Sequence, residues 1–228
     1  MKNNLIQGVF INRINRFIAE VEIEEIIKEV HVANTGRCKE LLIPGVKVLL
    51  KQSANLKRKT RYTLNYVRNK DVWVNLISVS ANMAVYNSMI DGDIETLINP
   101  KNIIKEFNVP GARFDFFCHI DNQEVYIEVK SVTLIKDNYL QFPDAPTTRG
   151  VKHLEHLIDL RNNGKRAILI FVCQHPLGKK FKTNIENDPI FSSKLIEARD
   201  NGVEILAYMA TDEIGILKLT HPIPILLT

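Results

Sequence analysis

The sequence predicts an α/β (α+β) protein in two parts, a small closed β-barrel over residues 1–80 followed by an α/β layer domain over residues 81–228. Three observations predict it. Before Ser80 the apolar residues come in short β-rich runs separated by turn formers. After Ser80 helical spacing alternates with strands. Charge divides at the same place: residues 1–80 hold 14 Lys or Arg against 7 Asp or Glu, whereas residues 81–228 hold 16 against 19.

The strand runs of the first part are residues 9–11, 17–23, 30–33, 46–50, 62–67 and 72–77, with turns at Asn34-Thr35-Gly36, Pro44-Gly45 and Asn69-Lys70-Asp71. Five or six short strands in so few residues fit an OB-fold, a barrel that often carries nucleic acid. Residues 51–70 contain seven basic residues and no acidic one. Lys57, Arg58, Lys59 and Arg61 are therefore candidate DNA phosphate contacts, with Tyr62 and Tyr66 as candidate stacking platforms. A solvated basic loop beside an acidic strand remains the alternative reading of the same charge.

In the second part, residues 82–99 read as a helix broken at Pro100, and residues 102–107 as a shorter helical stretch before Pro110-Gly111. A hairpin follows over residues 113–134. Residues 148–162 then read as a helix with Val151, Leu154, Leu157 and Ile158 on one face, stopping at Asn163-Gly164. Residues 167–173 are apolar throughout, as in a strand buried on both faces. A helix over 191–199 ends at Asn201-Gly202, and a strand over 203–210 follows.

Composition narrows the function classes. The formal net charge of +4 is only mildly basic. Cys38, Cys118 and Cys173 are odd in number and never two apart from a partner in C-x-x-C spacing, so neither a disulfide framework nor a zinc site is expected. The first residues lack the apolar stretch of a secretory signal, and the longest apolar run is too short to span a bilayer. A cytoplasmic protein with no membrane partner and no small-molecule cofactor is expected; its oligomeric state stays open between monomer and homodimer.

The hairpin gathers the chemistry. Phe114, Phe116, Cys118 and Ile120 alternate with Arg113, Asp115, Phe117 and His119, and Val125, Ile127 and Val129 alternate with Glu124, Glu128 and Lys130. A two-residue turn at Asp121-Asn122 sets Phe114 against Val129, Phe116 against Ile127 and Cys118 against Val125. Every apolar residue then meets an apolar partner, and a slip of one residue would lose that match. The same register sets Asp115 opposite Glu128, where like charges repel unless compensated. A divalent cation would compensate them, and hard oxygen ligands with open positions suit Mg²⁺ or Mn²⁺. Lys130 shares a face with Glu128 and would orient a water or stabilise developing charge, which makes Asp115, Glu128 and Lys130 candidate catalytic residues. A charged face on which Lys130 merely relieves the two carboxylates remains open.

Beyond the hairpin, Arg149, Lys152, His153 and His156 lie just inside the helix after Asp144, where a helix N-terminus and cationic side chains favour phosphate; Arg149, Lys152 and His153 are candidate DNA contacts. Asp144 is an accessory candidate, open between a supporting hydrogen-bond acceptor and a helix cap. His119 faces Glu124 in the proposed register and reads as an ordinary cross-strand pair.

Over essentially its full length the chain resembles the sugar fermentation stimulation protein A (SfsA) family. The residues that carry the resemblance are Asn34-Thr35-Gly36, Pro44-Gly45, Lys57-Arg58-Lys59, Arg113-Phe114-Asp115-Phe116, Glu128-Val129-Lys130, and residues 142–147 through Arg149-Gly150 to Lys152-His153-Leu154. The resemblance implies an N-terminal OB-fold, a PD-(D/E)XK nuclease-like domain and DNA binding. It further implies Asp115 and Glu128 as metal ligands with the Val129 carbonyl as a third, and Lys130 as the catalytic lysine. The Pro-Asp dipeptide of the superfamily pattern is absent, Arg113-Phe114-Asp115 standing in its place. An acidic residue on the first helix often assists in that superfamily; Glu106 is the nearest candidate, with Asp91, Asp93 and Glu95 competing. The expected function is DNA binding with Mg²⁺-dependent hydrolysis of phosphodiester bonds, the alternative being a non-cutting regulator linked to sugar metabolism.

Overall fold

The computed structural model describes residues 5–34, 36–212 and 215–227. Residues 1–4 and Thr35 of the Asn34-Thr35-Gly36 turn lie outside the described residues. Strands β1 (Leu5–Arg13), β2 (Ile18–Ile23) and β3 (Ile26–Val32) form an antiparallel meander, and β4 (Lys47–Gln52) pairs with the other side of β1. Strand β5 (Tyr62–Asn69) is antiparallel to β4 and parallel to β3. That last pairing closes a five-stranded barrel in the order β1-β2-β3-β5-β4, the expected OB-fold, and β6 (Val72–Asn75) extends it from β5. Alternation drives the closure. Ala19, Val21 and Ile23 on β2 point inward with Val30, Val32, Val48, Leu50 and Leu64 from the neighbouring strands.

The second part begins with α1 (Val79–Asp91) and a single 3₁₀ turn at Glu95–Leu97. Strands β7 (Lys101–Val109), β8 (Ala112–Ile120), β9 (Gln123–Val132), β10 (Leu134–Lys136) and β11 (Tyr139–Phe142) come next, then α2 (Thr148–Asn162) and β12 (Arg166–Cys173). The chain finishes with β13 (Lys180–Thr183), α3 (Pro189–Asp200), β14 (Glu204–Asp212), β15 (Leu217–Pro222) and β16 (Ile225–Leu226). The main sheet runs β15-β14-β12-β9-β8-β7, with β9, β12 and β14 mutually parallel at its centre. α1 covers one face through Ala81, Ala84, Val85 and Met89; α2 and α3 cover the other through Leu154, Leu157, Phe191 and Leu195. Buried on both faces, β12 needs the continuous apolar run that its sequence carries. Strands β10, β11, β13 and β16 form a smaller second sheet.

The structure overturns two expectations. The helix expected over 82–99 ends at Asp91, where Gly92 takes a left-handed φ of 79° and donates back to the Ser88 carbonyl. Residues 102–107 are part of strand β7, not a helix. Ile103, Ile104 and Phe107 have helical spacing in sequence. In the edge strand, positive φ at Asn102 (55°) and Glu106 (54°) breaks the alternation that would have revealed β structure.

Side-chain hydrogen bonds tie the barrel to the α/β domain in two places. Tyr66 and Asn75 both donate to the Asp212 carboxylate, at 2.9 and 2.5 Å, and the Cys38 N–H donates to Asp144 Oδ2 at 2.9 Å. No helix among the described residues is long and apolar enough to cross a membrane. All three cysteines are buried and unpaired.

Candidate metal and nucleic-acid site

The hairpin β8–β9 holds the predicted register only over its turn half. Ile120 to Phe116 pair with Gln123 to Ile127, including Phe116 with Ile127, Cys118 with Val125 and His119 with Glu124. At Asp115 the ladder stops. Phe114 packs in the core beneath α2 and α3, whereas Phe116, two residues on, packs beneath α1, so the strand's alternation breaks between them. Hence Phe114 is not laddered to Val129, nor Asp115 to Glu128. Instead the Asp115 side chain takes the place of a backbone carbonyl: its Oδ2 accepts the Val129 N–H at 2.8 Å. In an extended strand the N–H and C=O of one residue leave toward the same neighbour, so the Val129 carbonyl lies on the Asp115 side.

Two further residues complete this corner. Asn82, near the start of α1, donates to Asp115 Oδ1 at 2.6 Å. Sequence reasoning sought an acidic residue on this helix and missed the amide, whose role only tertiary packing reveals. Glu106, the accessory candidate, is not on the first helix; it sits exposed on β7 and pairs with Arg113 at 3.0 Å. On β9, Glu128 is 3% exposed, with Oε1 accepting from Lys130 Nζ at 2.5 Å and in contact with His153 Nδ1. Lys130 Nζ lies 3.2 Å from that same His153 nitrogen. The second oxygen, Glu128 Oε2, is buried and has no hydrogen-bond partner.

Electrostatics separates the two carboxylates. Burial, and then the neighbouring Glu128 charge, push Asp115 up to about 6. Burial also works to raise Glu128, but the Lys130 ammonium and His153 outweigh it and hold this carboxyl below the usual range. Glu128 is thus charged, buried and half satisfied. The orphaned Glu128 oxygen, the Asp115 carboxylate and the Val129 carbonyl are hard oxygens, the donor type that Mg²⁺, Mn²⁺ or Ca²⁺ takes; among the described residues no group of three acidic, His or Cys side chains is gathered around them.

These groups lie at the floor of a cleft of about 1030 Å³ between barrel and α/β domain. Its barrel wall presents Arg13, Arg16, Arg37 and Lys39; the opposite wall presents Arg113 and Arg149. None of the four barrel cations was a candidate from sequence, because they are scattered singly between the β1–β2 and β3–β4 connections. Arg13 serves the wall itself, donating to the carbonyls of Arg16, Asn34, Gly36 and Arg37. Asp144 does not cap α2: it reaches across to the barrel to accept the Cys38 N–H, and a Cβ on Gly36 would stand 2.7 Å from its Oδ2, so a larger residue there would push that carboxylate aside. The cap of α2 is Thr147, accepting from Gly150 N–H at 3.0 Å.

The basic run is elsewhere. Lys57, Lys59 and Arg61 are exposed on the β4–β5 loop, outside the cleft, and Arg58 donates to Thr63 Oγ1 at 3.0 Å. Tyr66 is buried against Asp212 and is no stacking platform, and Tyr62 lies half-buried beneath the Lys28 ammonium. Lys152 is exposed on α2 outside the cleft lining, His156 packs on Gly111, and His153 is buried at the floor instead of reaching solvent.

Comparison with known proteins agrees with this architecture. Residues 80–213 match the profile of the sugar fermentation stimulation protein RE domain, and residues 11–76 that of the SfsA N-terminal OB domain. A sugar fermentation stimulation protein homolog of Methanobrevibacter smithii is 48% identical over 226 residues, covering 94% of each chain. One from Clostridium botulinum (strain Langeland) is 44% identical over 223 residues, covering 97% of each. The solved structure of Pyrococcus furiosus SfsA in complex with Ca²⁺ superposes with a TM-score of 0.90 at 29% identity over 99% of both chains. With a common barrel, a common α/β domain and this identity along nearly the whole chain, the protein belongs to the sugar fermentation stimulation protein family.

Proposed function

We propose that this chain binds DNA along the cleft between its two domains and hydrolyses the phosphodiester backbone with Mg²⁺ or Mn²⁺ held at Asp115, Glu128 and the Val129 carbonyl. The observation that carries the reading is the buried, partnerless Oε2 of Glu128 beside Asp115 at the foot of a cation-lined cleft. Ca²⁺ in the solved relative is a divalent cation of the same oxygen-seeking kind. Bound there, the metal supplies Lewis acidity and a lowered pKa for water. The chain's own groups do the rest. Arg16, Arg37 and Lys39 on one wall and Arg149 on the other offer charge-assisted hydrogen bonds to phosphates and so fix the strand over the floor. Lys130, held at Glu128 Oε1, brings an ammonium to where charge on a phosphate would develop. Lys57, Lys59 and Arg61 would extend the phosphate track over the barrel surface.

A non-cutting DNA-binding regulator is the second reading. One observation favours it: the Lys130 ammonium already balances the Glu128 charge and His153 Nδ1 meets the same oxygen, so the corner can persist as a structural cluster. Nicking of supercoiled plasmid in Mg²⁺ and Mn²⁺ decides between them, with Lys130→Met as the control for contaminating nuclease. Cutting by wild type alone supports hydrolysis; tight binding without cutting on duplex, single-stranded and branched DNA supports the regulator. Binding in EDTA across salt tests the surface. Neutralising a cation that meets a phosphate should flatten the slope of log K against log salt by about 0.9 per contact on duplex DNA. Charge-removal at Arg16, Arg37 and Lys39 should show this, and an unchanged slope would remove the cleft wall from the DNA path; the same assay on Lys57, Lys59 and Arg61 decides whether the outer loop belongs to it.

A further inference from the structure

His153 carries three observations that do not fit a DNA contact. It is 7% exposed, its Nδ1 meets Glu128 Oε1, and its Nε2 lies 3.4 Å from Arg149 Nε. An ionised Glu128 Oε1 can only accept and the Arg149 Nε–H can only donate, so the tautomer assigned to the imidazole carries its hydrogen on Nδ1 and its lone pair on Nε2. That hydrogen points at Glu128 Oε1, which Lys130 Nζ also reaches at 2.5 Å. Both donors therefore converge on one oxygen of the carboxylate and leave Oε2 without a partner.

We infer that His153 is a positioning residue: it locks the Glu128 carboxylate so that Oε1 belongs to the protein and Oε2 is presented to the divalent cation. The inference rests on the reading that Asp115 and Glu128 hold such a cation. A carboxylate with both oxygens free to rotate would offer either one to Lys130, and each turn of it would take the ligand oxygen away from the metal. An imidazole donor on a helix has no such freedom. α2 is set by the Thr147 cap, and the ring packs at the edge of the core near Phe114, with centroids 6.5 Å apart. Groups that orient metal ligands in this way change metal affinity by about 10–100-fold when removed.

The geometry dictates which substitution should rescue. Asparagine places its amide nitrogen where His153 has Nδ1 and can still donate to Oε1. Glutamine reaches toward the Nε2 position, and phenylalanine fills the space with no donor. Calorimetric titration of Mn²⁺ and of Ca²⁺ alone into metal-free full-length protein should give His153→Asn an affinity within about threefold of wild type. His153→Gln and His153→Phe should be weaker by about 10–100-fold. Binding of duplex DNA in EDTA should not follow the metal ranking of the three variants, since the ring is buried and its link to a proposed phosphate contact is the 3.4 Å approach of Nε2 to Arg149 Nε. Equal metal affinity in wild type and His153→Phe overturns the inference while leaving the cation site standing, as does an asparagine variant no better than the phenylalanine one. Absence of saturable metal binding by the wild type overturns the cation reading itself. Circular-dichroism melting of each metal-free variant shows that it is folded, and the comparison of His153→Asn with His153→Gln holds even where phenylalanine unfolds the chain.

Discussion

The two halves of hairpin β8–β9 obey different rules. Toward the turn, from Ile120–Gln123 to Phe116–Ile127, every pair sits where alternation puts it, and the apolar members, Phe116, Cys118, Val125 and Ile127, pack into a core beneath α1. Toward the cleft the ladder ends, Phe114 turns to the opposite core, and a side-chain oxygen of Asp115 takes the Val129 N–H. The turn half is what hydrophobic patterning specifies. The cleft half departs from that pattern where a carboxylate has to leave the plane of the sheet, and departures of this kind gather at functional sites. The comparison predicts that substitutions in the turn half alter stability and leave chemistry alone, while those in the cleft half alter metal binding and chemistry.

The largest expected contrast is between two glutamates of the same strand. Glu128→Gln should lower the rate of Mg²⁺-dependent DNA cutting by about 10³-fold, equivalent to about 4 kcal/mol of transition-state stabilisation, and should weaken Mn²⁺ binding. Glu124 is half-buried at the other end of β9 and pairs with Lys165 at 2.7 Å. Glu124→Gln should leave cutting within about twofold and cost no more than about 1 kcal/mol of stability, the usual limit for such an exposed pair. Plasmid nicking by the two variants side by side measures the difference. Comparable losses in both would mean that the two halves are not functionally distinct.

A smaller effect separates them in stability. Asp115 titrates at about 6 in the folded chain against 3.8 as a free side chain. Between those values the native state holds a proton that the unfolded chain has released, so native stability falls as pH rises through this window. The penalty is absent below about pH 4 and complete above about pH 6. Asp115→Asn removes the charge but keeps an oxygen for the Val129 N–H. In EDTA the variant should match wild type near pH 3.5 and exceed it by about 1–3 kcal/mol at pH 7. Added Mn²⁺ should reverse the order at neutral pH by stabilising wild type alone. Denaturant unfolding at several pH values reads this directly, and parallel curves for the two proteins would show that Asp115 is not strained by burial. His175, fully buried near Lys70 of the barrel, contributes the opposite slope: burial, then the Lys70 charge, lower it to about 4, so its share of stability is lost as pH falls from 6.5 toward 4. Only the difference between variant and wild type, in which His175 cancels, isolates Asp115.

Legibility in the sequence follows the same division. The six strands of the first domain, the bounds of α2 and the all-apolar β12 were readable because each is dictated by alternation, helical spacing or turn residues acting within a few positions. Strand β7 was not, since two left-handed residues interrupt an edge whose composition favours helix. Asp115, Glu128, Val129 and Lys130 were readable as neighbours because they sit on one hairpin, although the register that would set Asp115 opposite Glu128 does not hold. Asn82, the clasp from Asp144 to Cys38, and the basic wall of Arg16, Arg37 and Lys39 were not. Asn82 depends on the packing of α1 against β8, and the clasp and the wall on the packing of one domain on the other, over separations of up to 106 residues; a scattered cation carries no local signal. The run at 57–61 is visible in sequence for the reason the wall is not: its charges lie close together along the chain.

The smallest effect belongs to the turn itself. Asp121 and Asn122 adopt φ of 50° and 65°, both left-handed, as a two-residue hairpin turn requires, and both are exposed. Asparagine tolerates that region because its short side chain can hydrogen-bond locally, and glycine tolerates it because it has no Cβ. Asn122→Gly should therefore change stability by only about 0.5 kcal/mol. Asn122→Val forces a β-branched residue into the same conformation and should cost about 1–2 kcal/mol. Neither should alter cutting or Mn²⁺ affinity, because the Phe116–Ile127 pair and the rungs beside it lie between the turn and Asp115 and hold the strands in register. Urea unfolding paired with metal titration distinguishes the outcomes. If Asn122→Val weakens Mn²⁺ binding by as much as it weakens the fold, the register is transmitted from the turn to the cleft, and Asp115 is placed by the hairpin as a whole; unchanged Mn²⁺ affinity in a destabilised variant would mean that Asn82 and the Val129 N–H place it locally.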